Sequence, residues 1–118
     1  MAIALIALAL SYATFLLGAK FLLCQHQRGI IIELKEWQDK YTNINSAETA
    51  SDAIEMWEYM NRYYWPGEGY YCSKKMTEKV ENQYGETIGA IITALEKYSG
   101  LKYDDDLQKW KEWSKSNN

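Results

Sequence analysis

The sequence predicts an all-α protein: an N-terminal single transmembrane helix followed by a small antiparallel helical bundle. Three observations lead there. Met1 to Ala19 contains no charged side chain. Downstream, apolar positions recur at spacings of three and four, the helical period, and not at the spacing of two that marks strands. Polar or glycine-bearing breaks then divide the remainder into segments short enough to pack on one another. Residues 1-24 are therefore read as the membrane helix and residues 25-118 as one compact helical domain, with helices at about 25-41, 46-65, 74-98 and 105-114.

Taking the elements in order, Ala2 to Cys24 would extend about 34 Å as a helix, enough to cross a bilayer whose hydrocarbon core is about 30 Å thick. Ser11, Tyr12 and Thr14 are tolerated in such a span because hydroxyls bond to the backbone, and Lys20 lies near one end, where its ammonium can reach water. A cleaved signal peptide is the competing reading. It lacks a basic n-region here, and its best cleavage site is Leu17-Gly18-Ala19. Lipid attachment at Cys24 is disfavoured by Leu23, a bulky residue immediately before it. Ala4, Ala7, Ser11, Thr14 and Gly18 form one stripe of small residues, the kind of face on which helices pack closely in lipid. The alternative is that an alanine-rich span produces such a stripe by chance.

Gln25 to Tyr41 sets Ile30, Leu34, Trp37 and Tyr41 on one face and is expected to continue the span outward through Gly29. After the polar break Thr42 to Asn45, Asn45 with Glu48 suggests a capping box opening the next helix. Along it Ala47, Ala50, Ile54, Trp57, Met60 or Asn61, and Tyr64 follow one stripe, and Pro66 stops it by disfavouring helical geometry in the residue before. Met76, Val80, Tyr84, Ile88, Ile91, Leu95 and Tyr98 then step regularly to Gly100, placed for a left-handed C-cap. Asp105 with Gln108 can cap a last short helix carrying Leu107, Trp110 and Trp113. The triplet Asp104 to Asp106 lacks the alternating ligands and glycine of a calcium loop and suits the N-terminal dipole of that helix.

The run ALEKYSGLKYDDDLQKWKEW, Ala94 to Trp113, resembles the closing segment of bacterial HEAT-like repeat proteins. In these a helix ends at a Leu/Tyr, Thr/Ser, Gly motif and a short helix bearing two tryptophans caps the fold. The resemblance implies that Trp110 and Trp113 seal the end of a helix pair, and it implies no activity.

The stretch RYYWPGEGYY, Arg62 to Tyr71, concentrates aromatic side chains around the only proline. If one helix rises from the membrane over residues 25-41 and the next descends over a similar length, this turn returns to the bilayer surface. There Tyr63, Tyr64, Trp65, Tyr70 and Tyr71 could sit among lipid headgroups, with Arg62, Lys74 and Lys75 near phosphates. Two other roles compete: core packing, for Tyr64 and Trp57 especially, and a clasp for a peptide or sugar. The same geometry brings Cys72 near Cys24. Because Lys20, Arg28 and Lys35 follow the span, the positive-inside tendency favours a cytoplasmic domain, where two free thiols are expected rather than a disulfide.

Chemistry-bearing patterns are sparse. The net charge of -3, with no basic stripe, argues against nucleic-acid binding. His26 is the single histidine, so neither a two-histidine metal motif nor a di-iron pair can be assembled within the chain. With Cys24 nearby, His26 is the nearest approach to a haem or pigment ligand, and an ordinary interfacial histidine is the simpler reading. Glu48, Asp52, Glu55 and Glu58 line the polar side of one helix and read as a solvated face. No cofactor, metal site or catalytic residue is expected. The expected function is that of a non-catalytic, single-pass membrane subunit or scaffold meeting a membrane partner, or another copy, through the first helix. The alternative is a membrane-tethered module that binds a peptide, sugar or lipid headgroup with the aromatic loop 62-71.

Overall fold

A computed structural model describes residues 2-64 and 72-117 of the chain. All its regular elements are helices: α1 (Ala2–Tyr41), α2 (Ala47–Tyr63), α3 (Lys74–Ser99) and α4 (Leu107–Ser116). The particle is a rod of 72 × 21 × 20 Å, because α1 runs unbroken for 40 residues, about 60 Å of helix.

Gly29 does not interrupt α1. A lone glycine costs a helix interior only about 1 kcal/mol, which the flanking turns and the packing of Leu34 and Trp37 offset. The first half of α1 is long and apolar enough to cross a membrane: an 18-residue window has mean hydropathy 2.1, and none of it is buried against the other described residues. The second half is packed. Leu34 is fully sealed, and Ile30, Trp37 and Tyr41 lie against the core formed with Ala50, Ala53, Ile54, Trp57 and Met60 of α2 and Tyr84, Ile88, Ile91 and Leu95 of α3.

The register follows from cross-links between helices. On α1 and α3, Gln27 meets Thr77, Gln38 meets Gln83, and the Leu34 carbonyl meets Thr87, so the two helices ascend together. Trp37 meets both Tyr59 and Tyr64 while Glu33 meets Tyr64, and Tyr84 bonds Asn61. The chain thus rises along α1, returns along α2 and rises again along α3.

The helix starts differ from the sequence expectation by about one residue. Ser46, not Asn45, caps α2, and its capping-box partner is Thr49 and not Glu48: Ser46 Oγ accepts from Thr49 N at 3.1 Å, and Thr49 Oγ1 accepts from Ser46 N at 3.0 Å. A threonine hydroxyl can serve as well as a carboxylate at that position, which frees Glu48 for solvent. Asp106, not Asp105, caps α4 through Lys109 N at 3.1 Å. The shift follows from Asp104, which adopts φ 50°, a left-handed geometry that aspartate tolerates better than most residues. Gly100 closes α3 at φ 74°, its N–H donating to the Glu96 carbonyl at 2.8 Å.

The short α4 lies across α2. Trp110 is completely buried in the common core, its indole N–H donating to the Asp104 carbonyl at 3.0 Å. Trp113 meets it edge-on at 5.7 Å and meets Tyr98 at 6.3 Å. Lys111 reaches across to Glu58 at 2.9 Å.

Candidate functional site

Three places in the rod hold the residues singled out from the sequence. Along the bare half of α1, Ala4, Ala7, Ser11, Thr14 and Gly18 are all exposed. Ser11 Oγ donates to the Ala7 carbonyl at 2.9 Å and Thr14 Oγ1 to the Leu10 carbonyl at 2.8 Å. Both hydroxyls are thus satisfied within the helix, as an apolar surrounding would demand. A side chain added at Gly18 would meet no other element of the chain.

The aromatic turn is divided. Trp65, Tyr70 and Tyr71 lie outside the described residues. Tyr64 packs edge-on against Trp37 at 4.8 Å and donates to Glu33 Oε2 at 2.6 Å. That hydrogen bond to a carboxylate, helped by burial, raises the Tyr64 pKa well above the ordinary phenol value. Tyr63, 62% exposed, leans on Tyr59 at 4.9 Å. A pocket of about 300 Å³ opens between these rings and His26, Ile30 and Glu33 of α1. Tyr64 is therefore level with Glu33, about 14 Å along α1 beyond Cys24. The other flank of the turn, Cys72, is level with Cys24 itself.

Cys24 and Cys72 form a disulfide, with Cα atoms 4.7 Å apart, which corrects the expectation of two free thiols. The physical reason lies in the register. Gln27, buried one turn beyond Cys24, accepts from Cys72 N at 2.9 Å and donates to Thr77 at 3.4 Å, so the entrance of α3 is already held against α1 where the two thiols meet. Further along the same seam Gln83 donates to Gln38 at 3.0 Å and to Thr87 at 3.1 Å, and the fully buried Thr87 hydroxyl lies 3.2 Å from the Leu34 carbonyl. Among the described residues no buried side-chain nitrogen or oxygen lacks a partner. This polar seam was not anticipated, since Gln27, Gln83 and Thr87 carry no apolar signature in the sequence.

The acidic row on α2 is only partly a solvated face. Glu58 holds Lys111 of α4 and, more loosely, Arg62 at 3.9 Å, and the lysine hydrogen bond lowers its pKa. Among the described residues no group of three or more histidine, cysteine or acidic side chains is arranged to hold a metal ion. What the arrangement offers is surface: a bare apolar helix, an aromatic pocket and a basic groove between α1 and α3. No protein-family model, no curated protein and no solved structure matches this chain.

Proposed function

We propose that this protein is a single-pass membrane subunit or scaffold without catalysis of its own, spanning the bilayer with the first half of α1 and presenting α2 to α4 beside it. The observation that carries this reading is the exposed apolar half of α1, which has no partner among the described residues. In water a face of that length would be a strong driver of association, whereas in lipid it is solvated, and its small-residue stripe suits a neighbouring helix or another copy.

On orientation two features pull apart. Lys20, Arg28 and Lys35 support a cytoplasmic domain by the positive-inside tendency, while the Cys24–Cys72 bond supports an oxidising compartment. We give the bond more weight, because the positive-inside tendency rests here on three cations alone. The domain is therefore proposed to face the oxidising side, with the base of α3 clamped at the level where α1 leaves the membrane. Lipid headgroups would then lie against Lys74 and Lys75, which follow Cys72 at the level of Cys24, whereas Tyr64 stands above them beside Glu33.

The test is the native mass of the full-length protein, extracted from its own membranes in mild detergent, with co-purifying chains identified. A stoichiometric assembly larger than a homodimer is expected, and a free monomer would overturn the reading. The aromatic pocket of Tyr59, Tyr63 and Tyr64 favours a second reading, a tethered module that binds a peptide, sugar or lipid headgroup. On that reading the protein lacking residues 2-23 should still fold and retain its ligand, whereas a subunit should lose its assembly.

A further inference from the structure

A groove of about 630 Å³ runs between α1 and α3. On α1, Arg28, Ile31, Ile32 and Lys35 line it, while Glu33 and Trp37, which meet α2, lie on the opposite face at about 100° of turn per residue. Across the groove, Met76 and Lys79 of α3 form the facing wall. Its floor is apolar, and Ile32 is 57% exposed there.

The charge of the groove is opposite to that of the chain. Three cations, Arg28, Lys35 and Lys79, stand against one carboxylate, Glu86, in a protein of net charge -3. Among the described residues the ion pairs are those that Lys111 and Arg62 make with Glu58, so none of the three groove cations is held in an ion pair there. Like charges gathered along an apolar strip repel one another, and an occupant that brings carboxylates relieves this.

The lining residues also dictate the occupant's shape. Positions 28, 31, 32 and 35 on one helix and 76, 79, 83 and 86 on the other repeat at three and four over two to three turns, on helices that run side by side. That is the ridge spacing that receives a third helix. A lipid fits less well. Ile31 and Ile32 lie about 11 Å beyond Cys24 along α1, past a headgroup layer about 5 to 8 Å deep, so an acyl chain would have to leave the hydrocarbon to cover them. A second copy also fits poorly. Two-fold pairing would set Arg28 and Lys35 against themselves.

We propose that the α1–α3 groove docks an acidic amphipathic helix of a different protein, its apolar seam on Ile31, Ile32 and Met76 and its flanking carboxylates on Arg28, Lys35 and Lys79. This rests on the subunit reading and names the chemistry of the partner.

The experiment uses the full-length protein in its own membranes, with photoreactive benzoylphenylalanine in place of Ile32 and, as a control, in place of Thr93, an exposed position further along α3. The Ile32 probe should capture one discrete protein through a segment that maps as an amphipathic helix bearing carboxylates. The yield should fall about tenfold or more when Arg28→Glu, Lys35→Glu and Lys79→Glu are combined, and should survive Lys35→Arg with Lys79→Arg. All three cations are exposed, and circular dichroism checks that the charge-reversed protein keeps its helix content. If the triple variant fails to fold, Lys79→Glu alone and capture at raised salt carry the same expectation. Capture of lipid, of a second copy, of a segment without carboxylates, or a yield indifferent to the charge reversal would overturn the proposal. If the native assembly persists under any of those outcomes, only the groove assignment fails, whereas a monomeric native extract removes the subunit reading beneath it.

Discussion

In the first half of α1, Leu5, Leu8, Leu10, Phe15 and Leu17 stand 64 to 70% exposed, while in the second half Leu34 is sealed at 0%. These are apolar side chains of the same helix, and no break in the backbone separates them. Among the described residues the first group has nothing to pack on. Leu34 has α2 and α3 around it and a carbonyl bonded by Thr87. Burial in this molecule is therefore decided by what α2 and α3 can reach, and they reach down α1 as far as the disulfide. Below that point the surrounding medium or another chain must do what the core does above it.

The largest effect expected from breaking this contrast lies at its boundary. The disulfide closes a sequence separation of 48 residues, for which loop-closure entropy gives about 4 kcal/mol. Cys72→Ser in detergent-solubilised protein should lower the urea midpoint accordingly, and dithiothreitol should do the same to the parent protein. Equal midpoints would mean that Gln27 and the seam above it suffice to hold α3.

Within the packed half, Leu34→Ala should cost about 3.5 kcal/mol, a lost side chain plus a cavity. Leu10→Ala should leave unfolding of the helical domain unchanged, because Leu10 is exposed and lies in a stretch with none of its residues buried among those described. Denaturation of the two variants side by side sharpens the contrast, and similar losses would show that the halves are coupled.

On the proposed membrane arrangement the sign reverses for charge. Leu10→Arg should disfavour insertion by about 3 kcal/mol, read as the fraction resisting alkaline extraction from membranes. Gln25→Arg, at the boundary, should insert normally. A Leu10→Arg protein that inserts as well as its parent would count against the span.

The smallest effect is expected from the Tyr64–Glu33 pair. The folded-state pKa of Tyr64 is raised, chiefly by its hydrogen bond to Glu33, so the unfolded chain loses this proton first. The associated stability is complete below about pH 10. It declines as pH rises above that toward the elevated folded value. Tyr64→Phe should flatten this alkaline decline in the denaturation midpoint between pH 9 and 11, and should remove the last tyrosinate to appear by absorbance.

Much of the fold was legible because it rests on local rules. The stripe from Val80 to Leu95 marked the buried face of α3, and Gly100 marked its end because the chain there needs a left-handed residue. Caps were legible only to within a residue, since Asn45, Ser46, Asp105 and Asp106 are all competent and the choice depends on where the preceding loop delivers the chain. The α1–α3 seam was not legible. Gln27, Gln83 and Thr87 carry no apolar signature, and their burial becomes favourable only when each supplies the other's hydrogen bond. The cysteine pairing depended on that seam in turn. The basic groove escaped notice for a related reason: Arg28 and Lys35 lie 44 residues or more from Lys79 in sequence, and each alone looks like an ordinary solvated cation.

The continuity of α1 has a mechanical meaning. A flexible tether would let the folded portion sample many headings, but an uninterrupted helix transmits torque and fixes both azimuth and height. Inserting one alanine between Phe21 and Cys24 would turn everything above it by about 100° and lift it by about 1.5 Å. Inserting seven would restore the heading to within about 20° at roughly 10 Å greater height. Whatever grips the lower half of the rod thereby aims the upper half, as a shaft aims a key.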